Sequence, residues 1–285
     1  MAAAMPGKLL LLGLACATLL AACSTRPSLP PGFPDSGDSA PARRLDPHAI
    51  ADATPRAEPV SRRGNPATYV VLGQRYQTLP SSRGYVERGI ASWYGTKFHG
   101  RATSSGEPYD MYAMTAAHKS LPLPTYVQVT NLRNGRTAIV KVNDRGPFHD
   151  NRLIDLSYAA ATKLGILGEG TGLVEVRALD PGIPPGQAPA APPSAPVSPL
   201  IQASHPAAPG LFIQVGAFSS RHNADQLSRR LAGSLGERVR IQQIDNRGQP
   251  LFRVQIGPLA GVEQVDSLSV NLASLGIVET QVVID

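Results

Sequence analysis

Thr137-Ala138-Ile139-Val140-Lys141-Val142-Asn143-Asp144-Arg145-Gly146-Pro147-Phe148 is an apolar strand that runs into a polar corner and a Gly-Pro turn. Alternating side chains over 137–142 predict a half-buried strand, and the turn ends it. Working outward, residues 89–94 and 126–131 read as further strands. Ser157 caps a helix over 158–164 that Gly165 terminates. Short strands, many glycine turns and one confident helix predict a small β-barrel over residues 67–180. Asp144, after its strand and before Gly146-Pro147, then sits at the barrel rim.

The C-terminal region, 210–285, has a different pattern. Residues 211–217 alternate as a strand, and Ser219 or Ser220 can cap the helix that follows. Ala224, Leu227 and Leu231 share one face of that helix, with Arg229 and Arg230 toward solvent. Residues 239–244 and 251–256 are two strands about a turn at Asn246-Arg247-Gly248. A second helix buries Val262, Val265, Leu268 and Leu272, and a last strand covers 280–284. The order β-α-β-β-α-β is a split βαβ, ferredoxin-like arrangement. The chain as a whole is therefore mainly β followed by α+β.

Outside these regions the composition changes. Residues 23–66 are rich in Pro, Ala, Ser, Asp and Arg without an apolar period, which predicts a disordered tether. Residues 181–209 repeat that composition and read as a disordered Pro/Ala-rich linker. Extended at about 3.1 Å per residue, the linker would span up to roughly 90 Å. Residues 1–22 carry one charge, Lys8, and an apolar run over 9–20. Twelve residues reach about 18 Å as a helix, short of a bilayer core of about 30 Å, so the segment reads as an export signal.

That signal ends in Leu20-Ala21-Ala22-Cys23, which resembles a bacterial lipobox, with Cys23 as the lipidated residue after cleavage. Several acyl chains would give stable anchoring where one is marginal. Cys16 is lost with the signal, so the mature chain holds one lipidated Cys. Neither a disulfide nor a catalytic thiol nor a Cys-based metal site is then possible. The net charge of +6 becomes +5 once Lys8 is removed, and this mild excess favours anionic partners. Ser24 after the Cys, by resemblance to Gram-negative lipoprotein sorting, points to the periplasmic face of the outer membrane. Export places the chain away from nucleic acid.

The central motifs are Ala91-Ser92-Trp93-Tyr94-Gly95, Phe98-His99-Gly100-Arg101, Thr103-Ser104-Ser105-Gly106-Glu107, Thr115-Ala116-Ala117-His118, Val142 to Phe148, and Asp155-Leu156-Ser157. In order and spacing they resemble the double-psi β-barrel of the rare lipoprotein A family. The resemblance implies a lytic transglycosylase that cleaves peptidoglycan glycan strands lacking stem peptides. It also implies functional roles at Asp144, Glu107 and His118.

The residues suit that chemistry on their own terms. Glycosidic cleavage needs a proton on the leaving oxygen and support for a cation-like transition state. In a lytic transglycosylase the sugar's own C6 hydroxyl attacks the anomeric carbon, so one carboxyl can act as acid and then as base. Asp144 is the candidate for that group. Arg145 pointing inward would stabilise its ionised form, whereas burial among apolar neighbours would favour its protonated one. Glu107 and His118 are candidates as stabiliser, proton partner or orienting hydrogen bond. Trp93, Tyr94 and Phe98 are either core or sugar-stacking residues. His99, His118 and His149 have no metal-ligand spacing, so neither metal nor cofactor is expected.

Phe212 to Phe218 and Phe252-Arg253-Val254-Gln255-Ile256-Gly257-Pro258 resemble the signature strands of a SPOR domain. That resemblance implies binding to denuded glycan strands, enriched at the division septum. Strict alternation places Gln214 and Gly216 on one face, opposite Ile213, Val215 and Ala217. Arg253 and Gln255 likewise oppose Phe252, Val254 and Ile256, which makes these four the candidate glycan contacts. RNA-binding domains share the topology, but an exported chain meets no RNA. Two rivals to a transglycosylase stand: an expansin-like glycan-binding lipoprotein without bond cleavage, and a hydrolase that admits water. Division proteins are possible partners.

Overall fold

The computed structural model describes residues 39–285 except 150, 181–209, 236, 237 and 247. The export signal with Cys23, the first part of the tether and the Pro/Ala-rich linker lie outside the described residues. A hairpin comes first, β1 (Thr68–Val71) and β2 (Gln74–Gln77). Tyr69 pairs with Tyr76 across it, and the two rings stack at 5.3 Å.

Six strands then close a barrel. They are β3 (Val86–Tyr94), β4 (Thr115–His118), β5 (Thr125–Asn131), β6 (Thr137–Asp144), β7 (Arg152–Ser157) and β8 (Gly172–Ala178). Their order around the barrel is β3-β7-β4-β6-β5-β8, closed by β8 on β3. The β3–β7 and β4–β6 pairs are parallel, and the other neighbours are antiparallel. Val127, Val129, Val140, Val142, Ile154, Leu156, Val174 and Val176 are fully buried, because every second residue of a strand faces the same side. The residues between them, such as Lys141, are left for the outer surface and rim.

Helix α1 (Tyr158–Leu164) sits where capping chemistry predicts. Ser157 accepts a hydrogen bond from the Ala160 amide, and Gly165 takes the left-handed conformation at φ 72° that ends the helix. Its three consecutive alanines, Ala159 to Ala161, are fully buried, and their small side chains let the helix approach the barrel core.

The expectation of a disordered tether fails from residue 39 onward. Residues 39–66 form a strap without regular secondary structure, fastened to the barrel by hydrogen bonds. The Thr96 amide donates to the Ser39 carbonyl at 3.1 Å, Ala53 N to Ile139 O at 3.0 Å, and Ser61 N to Leu123 O at 2.8 Å. Asp52 accepts from the Ile139 amide and pairs with Lys163. Leu45, Ile50 and Ala53 pack against the barrel core. Composition misleads here because the strap has no internal period. Its order comes from groups on the barrel that satisfy its backbone.

The C-terminal unit follows the expected topology. It contains β9 (Leu211–Phe218), α2 (Arg221–Leu235), β10 (Val239–Asn246), β11 (Gln249–Leu259), α3 (Val262–Ser274) and β12 (Gln281–Ile284). Its antiparallel sheet has the order β10-β11-β9-β12. Ala224 and Leu231 of α2, and Val265 and Leu272 of α3, are buried with Ile213, Val254 and Ile256 in one core.

Candidate active site

Asp144 is the last residue of β6, and three donors converge on one of its oxygens. Oδ1 accepts from the Ser104 amide at 2.8 Å, the Ser104 hydroxyl at 2.6 Å and the Arg145 amide at 2.7 Å. Oδ2 receives no hydrogen bond among the described residues. The carboxyl group is thus oriented through one oxygen while the other stays available to a reacting atom. Ser104 belongs to the tight turn Thr103-Ser104-Ser105-Gly106-Glu107. The Gly106 amide donates to the Thr103 carbonyl at 2.9 Å, and Gly106 has φ +95°, which favours glycine there.

The same turn delivers Glu107. Its Oε1 accepts from Lys141 Nζ at 2.7 Å and its Oε2 from Asn143 Nδ2 at 2.8 Å. Both donors lie on β6, just before Asp144, so one turn and one strand end bring the two candidate carboxylates together. Burial raises the Glu107 carboxyl, but the hydrogen bonds from Asn143 and Lys141 outweigh it and hold Glu107 below its ordinary range. Glu107 therefore stays charged at the rim.

Arg145 does not turn toward Asp144. Its guanidinium donates to Gly64 O at 2.7 Å, His118 O at 3.1 Å, Leu121 O and Asn65 Oδ1 at 2.9 Å. Only its backbone N–H serves Asp144. The alternative left open by the sequence, an arginine paired directly with the Asp144 carboxyl, does not arise in this geometry.

His118 is 2% exposed, and among the described residues its ring bonds to neither candidate carboxylate. Its Nδ1 accepts from the Ser120 and Leu121 amides at 3.2 and 3.1 Å, so Nε2 carries the hydrogen. Nε2 then donates to the Tyr85 hydroxyl at 2.8 Å, and that hydroxyl donates to Glu87 Oε2 at 2.7 Å. Burial, reinforced by the charges of Arg145 and Lys119, pushes His118 down to about 3. A neutral, doubly anchored imidazole is positioned to hold the loop after β4, whose carbonyls hold Arg145. Its link to the rim runs through that loop and not through a shared proton.

Among the aromatic residues, Tyr94 is buried and stacks on Tyr109 at 4.1 Å. Trp93 packs edge-on to Tyr158 at 6.2 Å, so both belong to the core. Phe98 is 40% exposed, with Arg101 5.8 Å from its ring, and remains available for stacking. Asp155, which entered the sequence reading only as part of a motif, is paired across strands with Ser92 and Ala117. Burial raises its carboxyl, and the Ser92 hydroxyl donates to it. Among the described residues no three His, Cys, Asp or Glu side chains are grouped to hold a metal ion.

On the C-terminal sheet two expectations need correction. Val254 pairs with Gly216 but Gln255 pairs with Gln214, so β9 has one extra residue between them. Such a bulge reverses the alternation. Gly216 consequently lies on the helix side, where an added Cβ would meet the Phe218 ring at 2.8 Å and Leu227 at 3.3 Å. Ala217 is the exposed residue instead. Gln255 faces the polar side but is fully buried. Arg240 covers it, donating to Gln255 Oε1 at 2.8 Å while lying 3.4 Å over Phe212. Gln214 and Arg253 keep their predicted face. Cross-strand register adds Arg240, Gln242 and Gln281 to it. The register that pairs Asn246 with Gln249 sets Gln242 opposite Arg253.

A family model described as lytic transglycolase matches residues 86–177, and a SPOR domain model matches residues 207–283. The endolytic peptidoglycan transglycosylase RlpA of Pseudomonas aeruginosa strain UCBPP-PA14 is 39% identical to this chain, with 93% of each chain covered. This chain belongs to the RlpA family. The RlpA of Vibrio cholerae is 52% identical over 56% of this chain and 60% of its own length. The crystal structure of the RlpA SPOR domain from Pseudomonas aeruginosa aligns at 28% identity and a TM-score of 0.25, covering 26% of this chain and 97% of that one. In RlpA-family terms the turn at 103–107 and the end of β6 fall inside the matched barrel. The strap at 39–66 precedes the residues that the lytic transglycolase model matches.

Proposed function

We propose that this chain is an endolytic peptidoglycan lytic transglycosylase. It cleaves the MurNAc–GlcNAc bond of strands lacking stem peptides and leaves 1,6-anhydroMurNAc ends. The observation that carries this reading is the rim itself. Asp144 is held through Oδ1 with Oδ2 unengaged, beside a Glu107 kept charged by Lys141 and Asn143.

Asp144 in its protonated form gives its proton to the glycosidic oxygen as the bond to the MurNAc anomeric carbon breaks. The departing GlcNAc leaves with a hydroxyl. Glu107 supplies negative charge near the cation-like ring, or orients it through a hydroxyl. The Asp144 carboxylate then takes the proton of the C6 hydroxyl as that oxygen bonds to the anomeric carbon. The anhydro ring closes and the acid is regenerated, so one group serves both steps. His118 serves as a positioning residue beneath Arg145.

The C-terminal sheet holds denuded strands through Gln214 and Arg253, with Arg240, Gln242 and Gln281 beside them. It thereby concentrates the protein in the cell envelope at the division septum, where division proteins are potential partners. Lipid on Cys23 anchors it to the periplasmic face of the outer membrane. The relatives named endolytic peptidoglycan transglycosylase RlpA, similar over most of the chain, support the transglycosylase reading.

The test is mass spectrometry of the products formed from peptide-stripped glycan strands. Anhydro-ended fragments are expected from the wild-type protein and none from Asp144→Asn, with folding unchanged by circular dichroism. Reducing ends would make the chain a hydrolase. Intact strands that co-sediment with the protein would make it an expansin-like binder.

A further inference from the structure

The strap brings a third carboxylate to the rim. Glu58 Oε1 accepts from the Tyr126 hydroxyl at 2.6 Å and from Arg56 Nε at 2.8 Å, and its Oε2 accepts from Lys141 Nζ at 3.0 Å. Lys141 is the residue that holds Glu107 at 2.7 Å. Its side chain is only 13% exposed, and that of Glu58 only 21%. Exposed ion pairs contribute little, but this ammonium is withdrawn from solvent and shared between two carboxylates.

Other anchors keep the strap in place next to this contact. Ser61 Oγ donates to the Ser105 carbonyl in the catalytic turn at 3.3 Å. Asn65 exchanges two hydrogen bonds of 2.8 Å with the Leu123 backbone and accepts from Arg145. The strap thus touches the Glu107 turn, the Lys141 strand and the Arg145 loop.

We infer that the catalytic unit includes the strap that precedes the barrel, and that Glu58 is a positioning residue which sets the place and charge of Lys141, and through it Glu107. The inference deepens the proposed function and rests on its reading of Glu107. A lysine with one partner would move wholly to Glu107. With two, it is shared, 2.7 Å from Glu107 and 3.0 Å from Glu58, and its charge is divided. The charged and titratable groups facing this arrangement are Arg56 and Glu58 from the strap, Tyr126 from β5 and Lys141 from β6, with Asp144 held by the same turn as Glu107. Burial raises the Glu58 carboxyl, yet the bonds from Tyr126, Arg56 and Lys141 outweigh it and hold Glu58 at about 2. Glu58 thus remains an anion throughout the working range. Its charge also opposes the hold of Lys141 on Glu107.

The experiment uses the full mature chain with glutamate labelled in its carboxyl carbon, the Glu107 resonance being assigned through Glu107→Gln. In Glu58→Gln the Glu107 titration midpoint is expected to move to lower pH, because the whole charge of Lys141 then acts on it. Turnover of peptide-free strands is expected to fall about tenfold with little change in KM, the sign of an interaction that acts on the chemical step. Glu58→Asp should restore part of both. Tyr126→Phe keeps the Glu58 charge and should leave the midpoint in place, which separates charge from lost packing.

A Glu107 midpoint that does not move in Glu58→Gln overturns the inference. So does undiminished turnover in Glu58→Gln alongside an inactive Glu107→Gln. Undiminished turnover in Glu107→Gln itself would instead sink the reading of Glu107 and leave the linkage to be judged on the midpoint.

Discussion

The barrel rim and the C-terminal sheet present polar side chains by opposite means. At the rim, every functional group is held by a partner far away in the chain. Asp144 depends on Ser104, Glu107 on Lys141 and Asn143, and Arg145 on Gly64, Asn65, His118 and Leu121. On the sheet, Arg253 and Gln242 are displayed by their own strands, and neighbouring register aligns them. The cleavage proposed at the rim needs one geometry, which cross-links over-determine. The glycan binding proposed for the sheet needs only a row of donors. The rim should therefore fail as a unit, and the sheet one contact at a time.

The largest effect that would break this contrast lies at Arg145. Lysine cannot reproduce a planar fork with four acceptors. Arg145→Lys is expected to cost about 2–4 kcal/mol, through buried carbonyls left without donors. It should also raise amide hydrogen exchange along residues 58–66. Denaturant unfolding and exchange mass spectrometry measure both. Unchanged exchange in the strap would mean that the rim is less interdependent than its bonds indicate.

A smaller effect is expected on the sheet. Arg253→Ala should weaken co-sedimentation with denuded strands by about fivefold, as for loss of one exposed hydrogen-bonding side chain of about 1 kcal/mol. Cleavage of short strands by the barrel should stay intact. A loss of binding too large to measure would show that the sheet, too, acts as a unit.

The last effect concerns His118 and sharpens the comparison from the side of stability. Its folded value of about 3 lies below its ordinary 6.5. Acid therefore protonates the unfolded chain first, and stability falls as pH drops from about 6.5 toward 3. Above the usual carboxylate value of 4.5, this imidazole should dominate the slope. The thermal midpoint of the wild type should decline between pH 6.5 and 4.5, and His118→Gln should flatten that decline. An equal slope in both proteins would mean that His118 is accessible to protons in the fold.

Much of this architecture was legible without coordinates. Ser157 and Gly165 bound α1 because a cap and a left-handed terminator act on their own few residues. The alternation of Val140 and Val142 marks β6 and leaves Asp144 at its end. The ferredoxin-like order of the C-terminal unit follows from periods of 2 and 3.6 that are local in sequence. Such features depend on neighbours within a few positions, and the chain states them directly. The strap, the side of the sheet on which Gly216 lies, the direction of Arg145 and the burial of Gln255 and His118 were decided only in three dimensions. Gly216 depends on the bulge in β9, and the others on where a polar group finds its partner: Asn65 on Leu123, Arg145 on Gly64, Gln255 on Arg240. No period links residues so far apart, and a buried polar group must still be satisfied by whichever partner the fold brings near.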